Sequence, residues 1–144
     1  MGRFSTKKAY LVNENNINYY LVDFIRLKPG DVLTFFLEST KSELYEQGIY
    51  LNCTGELSVN GIKCQKMSIW ETTAPKSFEV VFLGKTDAIL GINNMGRRLK
   101  DGGIFARMSG FAMKVEKLPD GSRRYHCNDV EIDNDFDDFT SLCS

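Results

Sequence analysis

The side chains most suited to binding or catalysis lie near the C-terminus, in the stretch "DVEIDNDFDDF" at positions 129–139. Every odd position from 129 to 137 carries an acid, and Asp138 adds a sixth carboxylate. Most even positions are apolar, namely Val130, Ile132 and Phe136. Alternation of charged and apolar residues with period two is typical of a half-buried strand. The pattern predicts an acidic C-terminal segment, 129–138, with a charged face.

These acids are not expected to form one flat ladder. The alternation favours a strand from Asp129 to about Asp133, where Asn134 interrupts the apolar face. The dense Asp content disfavours a strand beyond that point. We therefore expect a bend that offers its side chains to a partner. The residues predicted to bind that partner are Asp133, Asp135, Phe136, Asp137 and Asp138.

Clustered carboxylates are also ligands that calcium prefers. Read as an EF-hand loop from Asp133, the segment has Asp138 in place of the glycine at position six and Ser144 in place of the glutamate at position twelve. The EF-hand motif therefore fails. A calcium site built from two or three of these acids stays open as an alternative, and no metal ligand set and no cofactor are assigned.

A row of carboxylates with aromatic neighbours, here Phe136 and Phe139, complements an Arg- and Lys-rich protein surface and raises the association rate more than the affinity. We therefore predict a non-enzymatic macromolecule-binding protein, most concretely an inhibitor or immunity-type protein that binds a basic protein surface. Two alternatives stay open. The acids could pair with the chain's own Arg97–Arg98 or Arg123–Arg124, or the protein could be a structural or assembly component without a ligand.

A second candidate surface surrounds Trp70, the only tryptophan. A strand-end tryptophan beside an acid, Glu71, can stack on a sugar ring, so a carbohydrate-binding jelly-roll module is the alternative function. Arg97 and Arg98, followed by Lys100, could contact the phosphate of a ligand, but three cations are a weak nucleic-acid signal. We therefore predict no nucleic-acid partner. A tryptophan that only packs at the rim of the core is the competing interpretation.

No catalytic motif is recognisable: G-x-S-x-G, H-E-x-x-H, a Walker loop and G-x-G-x-x-G are all missing from the sequence. The single histidine, His126, precedes Cys127, and neighbours on a strand point to opposite faces, so the two cannot form a nucleophile pair. We expect His126 to share a face with Arg124 and to hydrogen bond to a neighbour. No catalytic residue is predicted.

The 144 residues, of which 42% are hydrophobic, suffice for a single domain, 1–144, with its own core. The net charge of -1 is unevenly distributed, because all 18 Lys and Arg lie at or before Arg124. Positions 1–128 carry a net charge of +5 and the remainder -6. A mildly basic body with an acidic end can neutralise itself or present two surfaces to partners.

No run approaches the roughly 18 apolar residues of a membrane span, and the N-terminus lacks the apolar core of a signal peptide. We therefore expect a cytoplasmic protein with no membrane partner. In a reducing cytosol the four cysteines would be free thiols. Their spacing contains no C-x-x-C pair, so zinc is not predicted.

Short apolar runs between turn residues indicate the fold. Runs at 18–27 and 31–40 flank the turn "KPGD" and are interpreted as a hairpin or as neighbouring strands. Residues 41–48 are helix-friendly but too short for more than one turn. Asn60–Gly61 predicts a type I′ hairpin, with Val59 opposite Ile62 and Leu57 opposite Cys64. Near Gln65 or Lys66 the apolar residues change from even to odd positions, which predicts a β-bulge.

Further strands are predicted at 77–85 and 87–93, then a glycine-rich basic connection at 94–103, and a hairpin that turns at Pro119–Gly121. The chain shows about eight or nine short strands and no helical period. We therefore predict an all-β, single-domain antiparallel β-sandwich that is jelly-roll-like.

Three segments resemble a group of small, uncharacterised bacterial proteins. "IWETTAP" at 69–75 is similar to their Trp-acid-x-Thr-Ala-Pro segment, and "RRYHCND" at 123–129 to their Arg-Tyr-x-Cys-Asn-Asp segment. "NDFDDF" at 134–139 is similar to their Asp-Asp-Phe-Asp-Asp ending. The resemblance implies a small β-rich bacterial protein. It transfers no functional residue, because the group carries no assigned activity.

Overall fold

The computed structural model describes residues 11–14, 17–20, 22–40, 45–98, 100, 102–106, 113–127 and 139–143. Within these residues the regular secondary structure is entirely strand. The strands are β1 Leu11–Glu14, β2 Ile17–Tyr20, β3 Asp23–Leu27, β4 Val32–Thr40, β5 Tyr45–Val59, β6 Ile62–Trp70, β7 Ser77–Phe82, β8 Ala88–Arg98, β9 Ile104–Ala106, β10 Met113–Lys117, β11 Arg123–Cys127 and β12 Phe139–Cys143.

The described strands form one antiparallel sheet. Its order is β1-β2-β10-β11-β12-β4-β7-β5-β8-β3, with β6 paired to β5 and β9 paired to β8. In β4 and β7, buried and more exposed residues alternate, because successive side chains on a strand point to opposite faces. The prediction of an all-β protein is confirmed.

The sheet curls so strongly that its two ends approach each other. β2 pairs with β10 and β3 pairs with β8, so these two strands lie at opposite ends of the order. Yet only two residues separate them in the chain. The three steps from Tyr20 to Asp23 span at most about 11 Å. Segment 17–27 therefore joins the two ends of the sheet, where the sequence predicts one uninterrupted strand.

β5, with fifteen residues, changes partner along its length. β6 pairs with one edge, while the other edge pairs with β8 over Tyr45–Cys53 and with β7 over Leu57–Val59. The register against β6 shifts between Asn52 and Leu57, so four residues of β5 lie opposite the single residue Gln65. This irregularity lets one strand belong to two parts of the curled sheet.

The core fills the inside of the curl. Its largest fully buried side chains come from five different strands and are Ile25, Leu27, Leu33, Phe35, Leu51, Leu57, Leu90 and Tyr125. The rings of Phe35 and Phe78 stack with centroids 5.4 Å apart. One continuous hydrophobic cluster runs from β3 to β12, so strands β3 to β8 and β10 to β12 share a single core.

Two predicted hairpins are confirmed. Asn60 and Gly61 have φ of 51° and 80°, the positive pair that a type I′ turn requires, and both predicted cross-strand pairs form. β10 and β11 pair across the turn at 118–122. The predicted bulge is present opposite Gln65, but the extra residues lie on β5 and not on β6.

Other local predictions were wrong, each because pairing with a distant strand overrides the local signal. β3 and β4 are not neighbours, since β3 pairs with β8 and β4 lies between β12 and β7. Tyr45–Gly48 is strand and not a helical turn, and Asn94–Arg98 is strand and not a connection, because these two segments pair with each other. β12, at Phe139–Cys143, was not predicted.

Candidate functional site

Trp70 ends β6 where the neighbouring strand has no side chain. Gly48 of β5 lies directly opposite Trp70, and a Cβ on Gly48 would lie 2.7 Å from the indole ring. The glycine therefore lets the ring pack onto the β5 backbone. Arg97, on β8, places its guanidinium carbon 4.4 Å from the centroid of the Trp70 ring. The strand-end tryptophan thus carries a cation–π contact.

Two glutamates complete this Trp70 cluster. Glu46 lies directly opposite Arg97, forms an ion pair with it, and has a side chain only 4% exposed. Its Oε2 atom is buried and has no hydrogen-bond partner within the part of the chain that is described. The Glu71 N–H donates to the Gln47 carbonyl at 2.9 Å, which holds Glu71 nearby. Burial, and after it the charge of Glu46, raises the pKa of Glu71.

The structure brings together three of the four residues predicted for a sugar or small-molecule ligand: Trp70, Glu71 and Arg97. Arg98 belongs to β8, but its side chain is outside the described atoms. Because Arg97 covers one face of the indole and the ring packs onto β5 at Gly48, a sugar would have to displace the arginine to stack on the ring. Sequence reasoning missed Glu46, since only the β5–β8 register reveals that it faces Arg97.

The exposed face of β11 carries a second charge cluster. Arg124 Nε donates to Glu38 Oε1 at 2.9 Å, and Arg124 Nη1 donates to Glu116 Oε1 at 3.4 Å. His126 Nε2 lies 2.9 Å from the same Glu116 oxygen. These contacts lower the pKa of Glu116, with the His126 hydrogen bond as the largest cause. The predicted arrangement of His126 beside Arg124, bonded to a neighbour, is confirmed.

The buried face of β11 carries a third cluster, which crosses the interior of the curl. Arg123 Nη1 donates to both Asp23 carboxylate oxygens, at 2.7 and 2.8 Å. The Tyr125 hydroxyl donates to Asp23 Oδ2 at 2.7 Å. All three residues are buried, and burial followed by the Asp23 charge raises the pKa of Tyr125 well above its ordinary value. This cluster ties β3 to β11, which are not paired strands.

The acidic segment 129–138 lies outside the described residues, so the predicted roles of its side chains stay predictions. Its two attachment points are described. β11 ends at Cys127, β12 begins at Phe139, and these residues pair in the antiparallel ladder. β12 then lies between β11 and β4, within the sheet. The acids therefore belong to a connection anchored at both ends, and not to a free C-terminal tail.

The arginines predicted to neutralise this segment have other acidic partners. Arg97 pairs with Glu46, and Arg123 pairs with Asp23. Arg124 contacts the carboxylates of both Glu38 and Glu116. Of these four arginines, the three whose side chains are described, Arg97, Arg123 and Arg124, are thus each engaged by a carboxylate from the body of the protein.

Two clefts open near the β5–β6 hairpin. An apolar cleft of about 260 Å³ lies between β6 and the residues that lead into β7, and its lining includes Ile62, Met67, Ile69, Trp70, Pro75 and Phe78. A larger cleft of about 540 Å³ is lined mainly by polar residues, among them Thr34, Ser58, Ser77 and Glu79. Glu79 is the only titratable residue in that lining, as far as the chain is described.

Within the described ranges, no three His, Cys, Asp or Glu side chains are placed to hold a metal ion. The calcium alternative concerns the segment outside those ranges. Cys53 and Cys64 are free thiols, and burial raises the pKa of both. No helix in the described part of the chain has the length and apolar character to cross a membrane.

No family model matches the sequence, and neither a curated protein nor a solved structure matches it. The candidate sites therefore rest on the chain's own residues: the Trp70 cluster, the two faces of β11, and the anchored acidic segment.

Proposed function

We propose that this chain is a non-enzymatic, cytoplasmic protein that binds a basic protein surface through the acidic segment 129–138. An inhibitor or immunity-type protein is the most concrete form of this proposal. The side chains proposed to contact the partner are Asp133, Asp135, Phe136, Asp137 and Asp138.

A jelly-roll-like sandwich, of the kind suggested by the likeness to small bacterial β-rich proteins, is the proposed architecture. The contacts of Asp23 on β3 with Arg123 and Tyr125 on β11 support it, because these strands meet across the core without pairing. A sandwich places two faces of sheet on opposite sides of one core.

The observation that carries the functional proposal is the engagement of the body's arginines. Arg97, Arg123 and Arg124 each pair with a carboxylate that lies outside the acidic segment. Six carboxylates within ten residues repel one another, and pairing with a cation relieves that repulsion. These three arginines are therefore not available to the segment, and a basic partner is the proposed source of the positive charge.

The anchoring of the segment also supports a binding role. Pairing of Cys127 with Phe139 holds the two ends of residues 128–138 together. A connection with fixed ends has fewer conformations to lose on binding than a free tail of the same length. Loops carried by a rigid scaffold are common binding elements for this reason.

The proposal is tested by affinity capture from the native cell with three proteins. These are the wild type, a segment variant with Asp133, Asp135 and Asp137 changed to Asn, and a control with Glu56, Glu79 and Asp87 changed to Gln, Gln and Asn. The control removes the same charge from exposed positions outside the segment. Comparing the two variants separates a local interface from a general effect of net charge.

The expected result is a basic protein that the wild type and the control capture and the segment variant does not. The purified pair should associate at a rate that falls steeply as salt increases, because the proposed contacts are electrostatic. Capture of the same proteins by all three forms, or an association rate insensitive to salt, would contradict the proposal.

Carbohydrate binding is kept as a second candidate because Trp70, Glu71 and Arg97 lie together. Trp70 is the only tryptophan, so intrinsic tryptophan fluorescence reports on this ring alone. A sugar that stacks on the indole should shift the emission in a saturable titration with mono- and oligosaccharides. An emission spectrum unchanged across the whole panel would remove this candidate.

A further inference from the structure

Among the described strands, β6 has one edge without a partner. In the described part of the chain, Ile62–Trp70 pairs with β5 alone. An edge strand presents alternate N–H and C=O groups to any extended chain that approaches it. Its nine residues also exceed the roughly 5–6 of an average strand. The backbone of β6 can therefore accept a further strand.

The apolar cleft borders this edge. Ile62, Met67 and Ile69 of β6 line one side of it, and Pro75 and Phe78 line the other. Ile62 is 60% exposed, so it lacks the cover that the core gives to Ile49 on the paired strand. The cleft, at about 260 Å³, is smaller than the roughly 300–1,000 Å³ of small-molecule pockets. It suits single apolar side chains of a bound chain.

The charges on β6 itself are positive, while the neighbouring strand β5 places the carboxylate of Glu56 near Cys64. β6 contains two lysines, Lys63 and Lys66, and no acid. Both are exposed, and neither forms an ion pair with any side chain that the structure describes. Lys76, also exposed, follows Pro75 at the rim of the cleft. Glu71, just beyond the strand, belongs to the Trp70 cluster. An incoming strand with carboxylates would complement these lysines.

A second copy of the protein is a poorer fit. Antiparallel pairing of two complete β6 strands would place Lys66 directly opposite its own counterpart. Like charges at directly opposite positions destabilise a strand pair. Lysines on edge strands commonly prevent this kind of self-association. The same lysines attract an acidic partner, so the charge of β6 favours an acidic strand over a second copy of the protein.

We propose that β6 binds an extended acidic peptide segment of another protein as an added strand. Alternate apolar side chains of that segment enter the cleft beside Ile62 and Phe78, and its carboxylates pair with Lys63 and Lys66. This surface lies outside segment 129–138 and goes beyond the proposed function. The protein would then bind two partners of opposite charge, and either interaction can fail without the other.

The test uses fluorescence anisotropy with two labelled seven-residue peptides, Glu-Val-Glu-Ile-Glu-Val-Glu and its counterpart with Lys at every Glu. The protein variants are K63E/K66E at the edge and K28E/K85E as a control, which reverses two exposed lysines that do not line the cleft. A third peptide carries N-methyl groups on alternate residues of the acidic sequence, which removes the N–H groups that an added strand needs. Circular dichroism confirms that each variant is folded.

The acidic peptide should bind the wild type and the control equally, and K63E/K66E at least about tenfold more weakly. The basic peptide and the N-methylated peptide should bind at least about tenfold more weakly than the acidic peptide. Absence of binding, equal binding of acidic and basic peptides, or a dimer of the protein that the acidic peptide does not disrupt would each overturn the proposal.

Discussion

The two faces of β11 carry the same chemistry in opposite environments. Arg123 and Tyr125 point inward and meet Asp23, while Arg124 and His126 point outward and meet Glu116. The side chains of Arg123 and Asp23 are 8% and 3% exposed, whereas those of Arg124 and Glu116 are 30% and 47% exposed. One strand therefore holds a buried and a solvated ion pair side by side.

This difference shows that the contribution of an ion pair to stability depends more on its burial than on which residues form it. Removing one partner of a buried pair leaves an uncompensated charge in a medium of low polarity. Water replaces a lost partner at an exposed pair, and salt screens what remains. The inner cluster is therefore expected to hold the curled sheet together, and the outer cluster to contribute mainly to surface charge.

The largest expected effect is that of Asp23→Ala. This change leaves the Arg123 guanidinium buried without its carboxylate and removes the acceptor of the Tyr125 hydroxyl. We expect the free energy of unfolding to fall by about 3–5 kcal/mol, measured by urea denaturation. Glu116→Ala, which removes an exposed carboxylate near the same strand, is the matched control. Similar losses of unfolding free energy in both variants would contradict the expected difference between the buried and exposed faces of β11.

A smaller effect is expected for the half-buried pair of the Trp70 cluster. In this pair Glu46 is 4% exposed and Arg97 is 37% exposed, which places it between the two β11 clusters. Arg97→Met should lower the free energy of unfolding by about 1–3 kcal/mol, since Glu46 would stay buried without its cation. Trp70 fluorescence should change at the same time, because the guanidinium leaves the ring. A loss of stability as large as that of Asp23→Ala would show that the contributions of these ion pairs do not follow their exposure to solvent.

The inner cluster also makes a prediction about pH. The pKa of Tyr125 is raised in the folded protein, so the folded state keeps its proton to higher pH than the unfolded state. The resulting stability is complete below the unfolded pKa of about 10 and is lost as the pH rises above it.

One tyrosine can contribute a slope of up to about 1.4 kcal/mol per pH unit in that alkaline range. Urea denaturation from pH 9 upward should therefore show a shallower loss of stability in Tyr125→Phe than in the wild type. Tyr50→Phe, at a partly exposed tyrosine, is the control for the loss of one phenol group. Parallel curves for the wild type and Tyr125→Phe would contradict the assignment.

The smallest expected effect is that of Arg124→Gln on the outer face. Its partners Glu38 and Glu116 are both exposed to solvent. The change in the free energy of unfolding should be the smallest of the three ion-pair variants and should shrink further at high salt. A loss that persists in 1 M salt would mean that packing of the arginine stem contributes more than its charge.

Local sequence signals predicted the elements whose structure depends on neighbouring residues. Asn60–Gly61 specifies its hairpin by backbone conformation alone, and the turn between β10 and β11 does the same. Alternation also placed His126 and Arg124 on one face correctly. These features need no knowledge of distant strands.

The remaining errors concern segments whose conformation is set by distant partners. Tyr45–Gly48 looks helix-friendly in isolation, but pairing with β8 makes it a strand. The curl of the sheet depends on β2 and β3 joining its two ends, a feature that no local window contains. The contacts of Asp23 with Arg123 and of Glu46 with Arg97 join residues 100 and 51 positions apart. The acids that engage the arginines were therefore not predictable from sequence.

Segment 129–138 is proposed to bind a basic partner, so its acids are expected not to be neutralised by the body of the protein. The most direct measurement is the free energy of unfolding, in low salt, of the wild type and of the variant with Asp133, Asp135 and Asp137 changed to Asn. If the acids await a basic partner, removing three like charges should leave stability unchanged or raise it by up to about 1 kcal/mol. A loss of more than about 1 kcal/mol would show that the body of the protein already neutralises these acids, and would contradict the account.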